Sequence, residues 1–101
     1  VDSDDELANP EVTMAVWKET GDKAYKAADW RGAIAKYGSG IAAASDGADA
    51  ESLASLYGNR AAASMMLLKY QDAVADCDAA IAAYPPFAKA YFRKAAALKK
   101  L

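Results

Sequence analysis

The sequence predicts an all-α protein, an α-solenoid of about two and a half antiparallel helix pairs, on three observations. Alanine fills 27 of 101 positions, against three prolines and six glycines, and alanine is the best helix former and a poor strand former. Capping residues stand ahead of stretches with helical apolar spacing. Blocks of sequence recur at fixed offsets, the mark of a repeat architecture. A chain of this length is one domain, and with 54% hydrophobic and 26% charged residues it carries enough apolar material to build a core.

Residues 1–8 hold Asp2, Asp4, Asp5 and Glu6 and read as an acidic, solvated lead-in to a helical domain over 9–101. Asn9-Pro10-Glu11 starts the first helix: Asn caps, Pro suits the first helical position, and Glu favours the positive end of the dipole. Val12, Val16, Trp17, Ala24 and Tyr25 continue it at helical spacing to about Ala28. Asp29 caps a second helix, Trp30 to about Ala44, which Ser45-Asp46-Gly47 breaks. Asp49 caps a third, to about Leu68, and Tyr70-Gln71-Asp72 turns into a fourth, to about Ala83. Pro85-Pro86 ends that helix and precedes a fifth, which runs to the last residue. Five helices joined by short polar turns make antiparallel hairpins.

The repeats order these helices. The string beginning at Tyr57 lines up with that beginning at Tyr91, 34 residues on, and the string beginning at Trp30 with that beginning at Tyr70, 40 residues on. Ile41 meets Ile81, and Trp17 meets Tyr57, at the same offset of 40. A period of 34 with one excess of six is placed in the polar loop 45–50. The units are then 13–45, 50–85 and a third, 86–101, which offers only its first helix. That pattern fits a piece cut from a longer chain or an end on a single capping helix.

Charge and composition narrow the function. A net charge of −2 argues against nucleic-acid binding. No apolar run approaches a membrane span, and no basic segment followed by an apolar one marks a signal peptide, so a cytoplasmic location is expected. The single cysteine, Cys77, excludes an internal disulfide, and the lack of histidine excludes His-based catalysis and His-ligated zinc. No catalytic residue, cofactor or metal is expected.

Trp17, Gly21, Ala33, Tyr37 and Gly40, then Tyr57, Ala61, Ala73, Ala80 and Pro85, then Tyr91 and Ala95 resemble the tetratricopeptide repeat signature. In that family an aromatic is followed by a small residue in the first helix. An alanine, an aromatic and a small residue follow in the second, and a proline closes the unit. Cys77 stands in the aromatic slot of the second unit. The resemblance covers Thr13 to Leu101. It implies that the small residues let backbones approach while Trp17, Tyr37, Tyr57 and Tyr91 fill the gaps, and that the first helix of each pair lines a concave groove.

The groove helices then offer Lys18, Asp22 and Lys26; Asn59; and Lys89, Arg93 and Lys94. Lys18 with Asp22, and Lys89 with Arg93, are four apart and share a face, while Asn59 and Arg93 are 34 apart and so equivalent in the repeat. Cations and an amide along one groove donate charge-assisted hydrogen bonds to a carboxylate. The set is similar to the two-carboxylate clamp of co-chaperone tetratricopeptide domains, which hold the C-terminal Glu-Glu-Val-Asp of heat-shock chaperones. On that resemblance Lys18, Asn59, Lys89 and Arg93 match clamp donors, and Asp22 stands where the clamp has an asparagine. Ala62, one turn after Asn59, faces the groove as a small contact surface.

Asp22 is a costly departure. A carboxylate within about 4 Å of a ligand carboxylate costs roughly 1 kcal/mol at water-like dielectric and about 4 at an effective dielectric near 20. The lost amide donor costs about 1 more. Asp22 can pair with Lys18 or Lys26, each four residues away. Such a pair offsets part of that cost and draws Lys18 from the ligand.

Other residues have plainer readings. One of Met65 and Met66 belongs to the core and the other can shelve a ligand side chain. Tyr25 either stacks on a peptide or packs between helices. Cys77 is a buried, inert thiol. Asp72, Asp76 and Asp78 face the convex side. The expected function is an interaction module of a co-chaperone, not an enzyme. Its partner is the C-terminal tail of a cytosolic heat-shock chaperone of the seventy- or ninety-kilodalton class, with no nucleic acid and no membrane. The alternatives are a targeting domain of a larger phosphatase, prolyl isomerase or ubiquitin ligase, a J-domain co-chaperone, or a scaffold for another acidic motif. The open third unit, exposing Tyr91, Ala95 and Leu98, invites self-association.

Overall fold

The structure, a computed structural model, describes residues 9–45 and 47–101; the acidic lead-in falls outside the described residues. Five helices follow in chain order: α1 (Pro10–Lys26), α2 (Trp30–Ala43), α3 (Ala50–Met66), α4 (Tyr70–Ala83) and α5 (Ala88–Lys100). The all-α solenoid expected from the repeats is the observed fold.

The helix starts obey local chemistry. The Asn9 carbonyl accepts from both the backbone N–H and the hydroxyl of Thr13, each at 3.0 Å. The Asp29 carboxylate accepts from the Gly32 N–H at 2.9 Å. Asp49 accepts from the N–H and the hydroxyl of Ser52 at 2.9 and 2.7 Å, and those bonds lower its carboxyl pKa. The Asp29 and Asp49 side chains each satisfy a backbone donor that the helix itself leaves open. Lys69 and Phe87 stand ahead of α4 and α5 without a side-chain cap.

Two helices end earlier than expected. α1 stops at Lys26 rather than about Ala28, and α3 at Met66 rather than about Leu68. In both hairpins the chain leaves the helix through a left-handed residue, Ala28 at φ 59° and Leu68 at φ 61°. The following N–H then bonds back across the last turn, Asp29 to the Ala24 carbonyl and Lys69 to the Ser64 carbonyl, both at 2.9 Å. That closure is of the Schellman type, in which glycine is the usual left-handed residue.

Neighbouring helices pack in sequence, and α3 also touches α1 and α5, whereas α2 and α4 do not pack on one another. The odd-numbered helices therefore sit closer together and form the inner layer of the curve, with α2 and α4 outside. The described residues span 50 × 29 × 16 Å. One buried cluster joins Met14, Ala33, Tyr37, Leu56 and Ala63; a second joins Ala54, Ala61, Ala73, Cys77, Ala80, Ala90 and Ala97. Alanine dominates the second because the backbones approach closely, and burying these apolar groups is the main stabilising force. At Gly21 a side chain packs close on the helix: a Cβ there would stand 2.5 Å from the Tyr37 ring, and Tyr37 is 1% exposed. Burial pushes the Cys77 thiol up to about 11.

The structure corrects three expectations about side chains. Tyr91 does not fill a gap; it is 49% exposed, with its hydroxyl donating to the Pro85 carbonyl at 2.9 Å. Asp76 does not face solvent on the convex side. It is buried between α3 and α4, where Arg60 donates to it from Nε and Nη2, both at 2.8 Å. A buried carboxylate requires such a partner, and the long Arg60 side chain reaches it from the preceding helix. Lys94, expected in the groove, turns instead to Asp78 of α4, Nζ to Oδ1 at 2.7 Å. Met65 packs on the core and Met66 is half exposed.

Candidate functional site

The inner layer carries a cavity of about 140 Å3 lined by Asp22, Tyr25, Tyr37, Asn59, Ala62 and Arg93. Each inner helix contributes: Asp22 and Tyr25 from α1, Asn59 and Ala62 from α3, Arg93 from α5. Tyr37 reaches in from α2 over Gly21, where the missing side chain leaves room for its ring. The repeat register accounts for this convergence, since equivalent positions on successive first helices point to the same side of the stack.

The lining groups differ in chemistry. Asp22 accepts from the Tyr37 hydroxyl through Oδ1 at 2.6 Å and from Lys18 Nζ through Oδ2 at 3.1 Å. The Tyr37 hydroxyl is held well above its ordinary pKa, first by burial and then by the hydrogen bond and charge of Asp22; the Arg93 charge works the other way. The Asn59 amide and the Arg93 guanidinium line the same cavity. Arg93 Nη1 is buried and has no hydrogen-bond partner. It lies across α3 at Gly58, where a Cβ would stand 3.2 Å from Nη1 and 2.7 Å from Phe87 Cε2. Glycine at this position therefore lets the guanidinium and the Phe87 ring settle against the α3 backbone.

Of the six residues singled out in the sequence, Asp22, Asn59, Ala62 and Arg93 line this one cavity. Lys18 stands beside it, committed to Asp22, and lines a separate hollow with Met14, Ala15, Ser52 and Leu56. Lys89 is exposed and is not among the lining residues. Tyr25 packs between helices, its ring meeting Trp30 edge-on at 4.9 Å, and it also lines the cavity. Tyr37 was missed as a site residue because it reads as a gap filler. The available signal was its hydroxyl, since a buried tyrosine usually directs that group to a partner.

Among the described residues no group of three or more acidic or Cys side chains could hold a metal ion. No helix among them is long and apolar enough to cross a membrane.

No protein-family model matches the sequence. Among curated proteins, the chain is similar to the mitochondrial import receptor subunit TOM70 of Rattus norvegicus, 37% identical over 84 residues, 83% of this chain and 14% of that protein. The Homo sapiens protein of that name is 36% identical over the same share. The chain thus spans 14% of the length of these curated relatives. Among solved structures, the Arabidopsis OM64 TPR domain superposes with a TM-score of 0.80 at 33% identity, over 90% of this chain and 70% of that one. The Hsp90 co-chaperone Cns1 of Saccharomyces cerevisiae superposes with a TM-score of 0.84 at 30% identity, over 91% of this chain and 29% of that one.

Proposed function

The chain belongs to the tetratricopeptide repeat family, and from that premise we propose that its inner cavity holds the free C-terminal carboxylate of an acidic peptide. The peptide is of the Glu-Glu-Val-Asp type carried by heat-shock chaperones, and the chain serves as the interaction module of a cytoplasmic co-chaperone. One observation carries the reading: Arg93, whose buried Nη1 has no hydrogen-bond partner, lines the same cavity as Asn59. A buried cationic donor left unsatisfied is costly, and a carboxylate is the complementary group. The terminal carboxylate is held by Arg93 and Asn59. The acidic residues upstream run along the inner layer past the exposed Lys89. The likeness to an Hsp90 co-chaperone supports this choice of partner.

Binding requires no chemistry and no cofactor. Calorimetric titration with a pentapeptide ending in Glu-Glu-Val-Asp tests it, with the same peptide blocked as a C-terminal amide for comparison. The free acid binds and the amide loses about tenfold or more, the scale of a charge-assisted bond removed from an enclosed site. Affinity falls as salt is raised, because charge pairing contributes much of the binding. Equal affinity for acid and amide contradicts the proposal.

A further inference from the structure

We infer that the cavity accepts one carboxylate flanked by a hydrogen-bond donor, so that a peptide terminus with an amide side chain is chosen over one with a second carboxylate. This rests on the carboxylate-binding reading above and specifies which terminus is preferred.

Arg93 is the one cation among the lining residues. Lys18, outside the lining, pairs through Nζ with Asp22 Oδ2 at 3.1 Å. The Tyr37 hydroxyl proton is directed to Asp22 Oδ1 at 2.6 Å, which leaves the phenolic oxygen as an acceptor towards the cavity. An ionised carboxylate donates nothing and keeps lone pairs free beyond two bonds. Asp22 and Tyr37 therefore present acceptors, while Asn59, Arg93 and the Tyr25 hydroxyl supply the donors.

A single carboxylate at Arg93 and Asn59 matches this pattern. A second carboxylate in a cavity of about 140 Å3 meets Asp22 and Tyr37 as a like charge facing acceptors. Lys18 does not line the cavity, and its ammonium is already paired with Asp22. An amide side chain on the terminal residue instead donates to Asp22 and relieves the repulsion. Asp22 thus acts as a specificity residue that discriminates by penalising the wrong ligand.

The test is a cycle of two proteins and two peptides, both with free C-termini, ending in Glu-Glu-Val-Asp and Glu-Glu-Val-Asn. The native chain binds the Asn-terminated peptide about fivefold more tightly, the scale of one like-charge contact in water-like surroundings. Asp22→Asn narrows that preference to about twofold or inverts it, because the acceptor is gone. Tighter binding of the Asp-terminated peptide by the native chain overturns the inference, and that comparison needs no variant. An unchanged preference in Asp22→Asn overturns it as well. The amide of the Asn-terminated peptide separates the two claims. If the amide is not bound and the native chain still prefers terminal Asp, the single-carboxylate inference alone fails. If the amide binds as well as the acid, the carboxylate-binding reading falls and the inference falls with it.

Discussion

Arg60 and Asp76 form a two-pronged ion pair between α3 and α4, Nε to Oδ2 and Nη2 to Oδ1 both at 2.8 Å, with Asp76 8% exposed. The pair holds the second hairpin together on its outer side, behind the helix face that carries Asn59. Each charge has been taken out of water only because the other is present.

Removing one partner should therefore be worse than removing both. Asp76→Asn is expected to lower unfolding stability by about 2–3 kcal/mol, slightly below the usual range for a buried pair because Arg60 keeps some solvent contact. Arg60→Met combined with Asp76→Leu should recover most of that loss. Chemical denaturation of the two single variants and the double variant checks this.

Leu68 takes φ 61° and is 71% exposed, so its side chain contributes little packing where its backbone is strained. Leu68→Gly is expected to raise stability by about 0.5–1 kcal/mol, relief of left-handed strain exceeding the added freedom of the unfolded chain. In a thermal melt that corresponds to an increase of about 3–6 °C.

Gly21 has the opposite sign. A Cβ there would stand 2.5 Å from a Tyr37 ring atom, and the ring is enclosed and cannot yield. Gly21→Ala is expected to cost about 2–3 kcal/mol through overpacking. It also displaces the Tyr37 hydroxyl from Asp22, so peptide affinity should change together with stability.

Stability should decline in alkali. Burial raises the Cys77 thiol from 9.0 to about 11, so the native state keeps a proton that the unfolded chain releases. The stabilisation is fully present below pH 9.0 and is lost as the pH rises towards 11, at about 1.4 kcal/mol per pH unit. Tyr37, also raised, extends the decline to higher pH. Denaturation midpoints across this range, compared with Cys77→Ala, check it: the variant should show a shallower slope below the tyrosine range.

Much of the fold is legible because its signals are local or periodic. Asp29 and Asp49 announce helix starts through Gly32 and Ser52, each three residues on, and the recurring offsets order the helices into a stack. Asn59 and Arg93 come together for the same reason. Contacts between helices are less legible. Tyr37 and Asp22 are 15 residues apart on different helices, and their meeting depends on the space above Gly21, which periodicity does not report. Asp76 reads as solvated because a carboxylate on an outer helix is ordinarily exposed, while Arg60 reaches it from a neighbouring helix. The early ends of α1 and α3 are hidden because alanine and leucine are ordinary helix formers, and the left-handed turn is imposed by the hairpin closure.

The central claim is that Arg93 and Asn59 hold a peptide's terminal carboxylate. Nuclear magnetic resonance of the side-chain N–H groups, recorded as the free-acid Glu-Glu-Val-Asp peptide is added, tests it most directly. The predicted result is that the Arg93 guanidinium and Asn59 amide signals shift most, and that the amidated peptide leaves them unmoved. Shifts confined to the outer helices α2 and α4, or identical shifts with acid and amide, would contradict it.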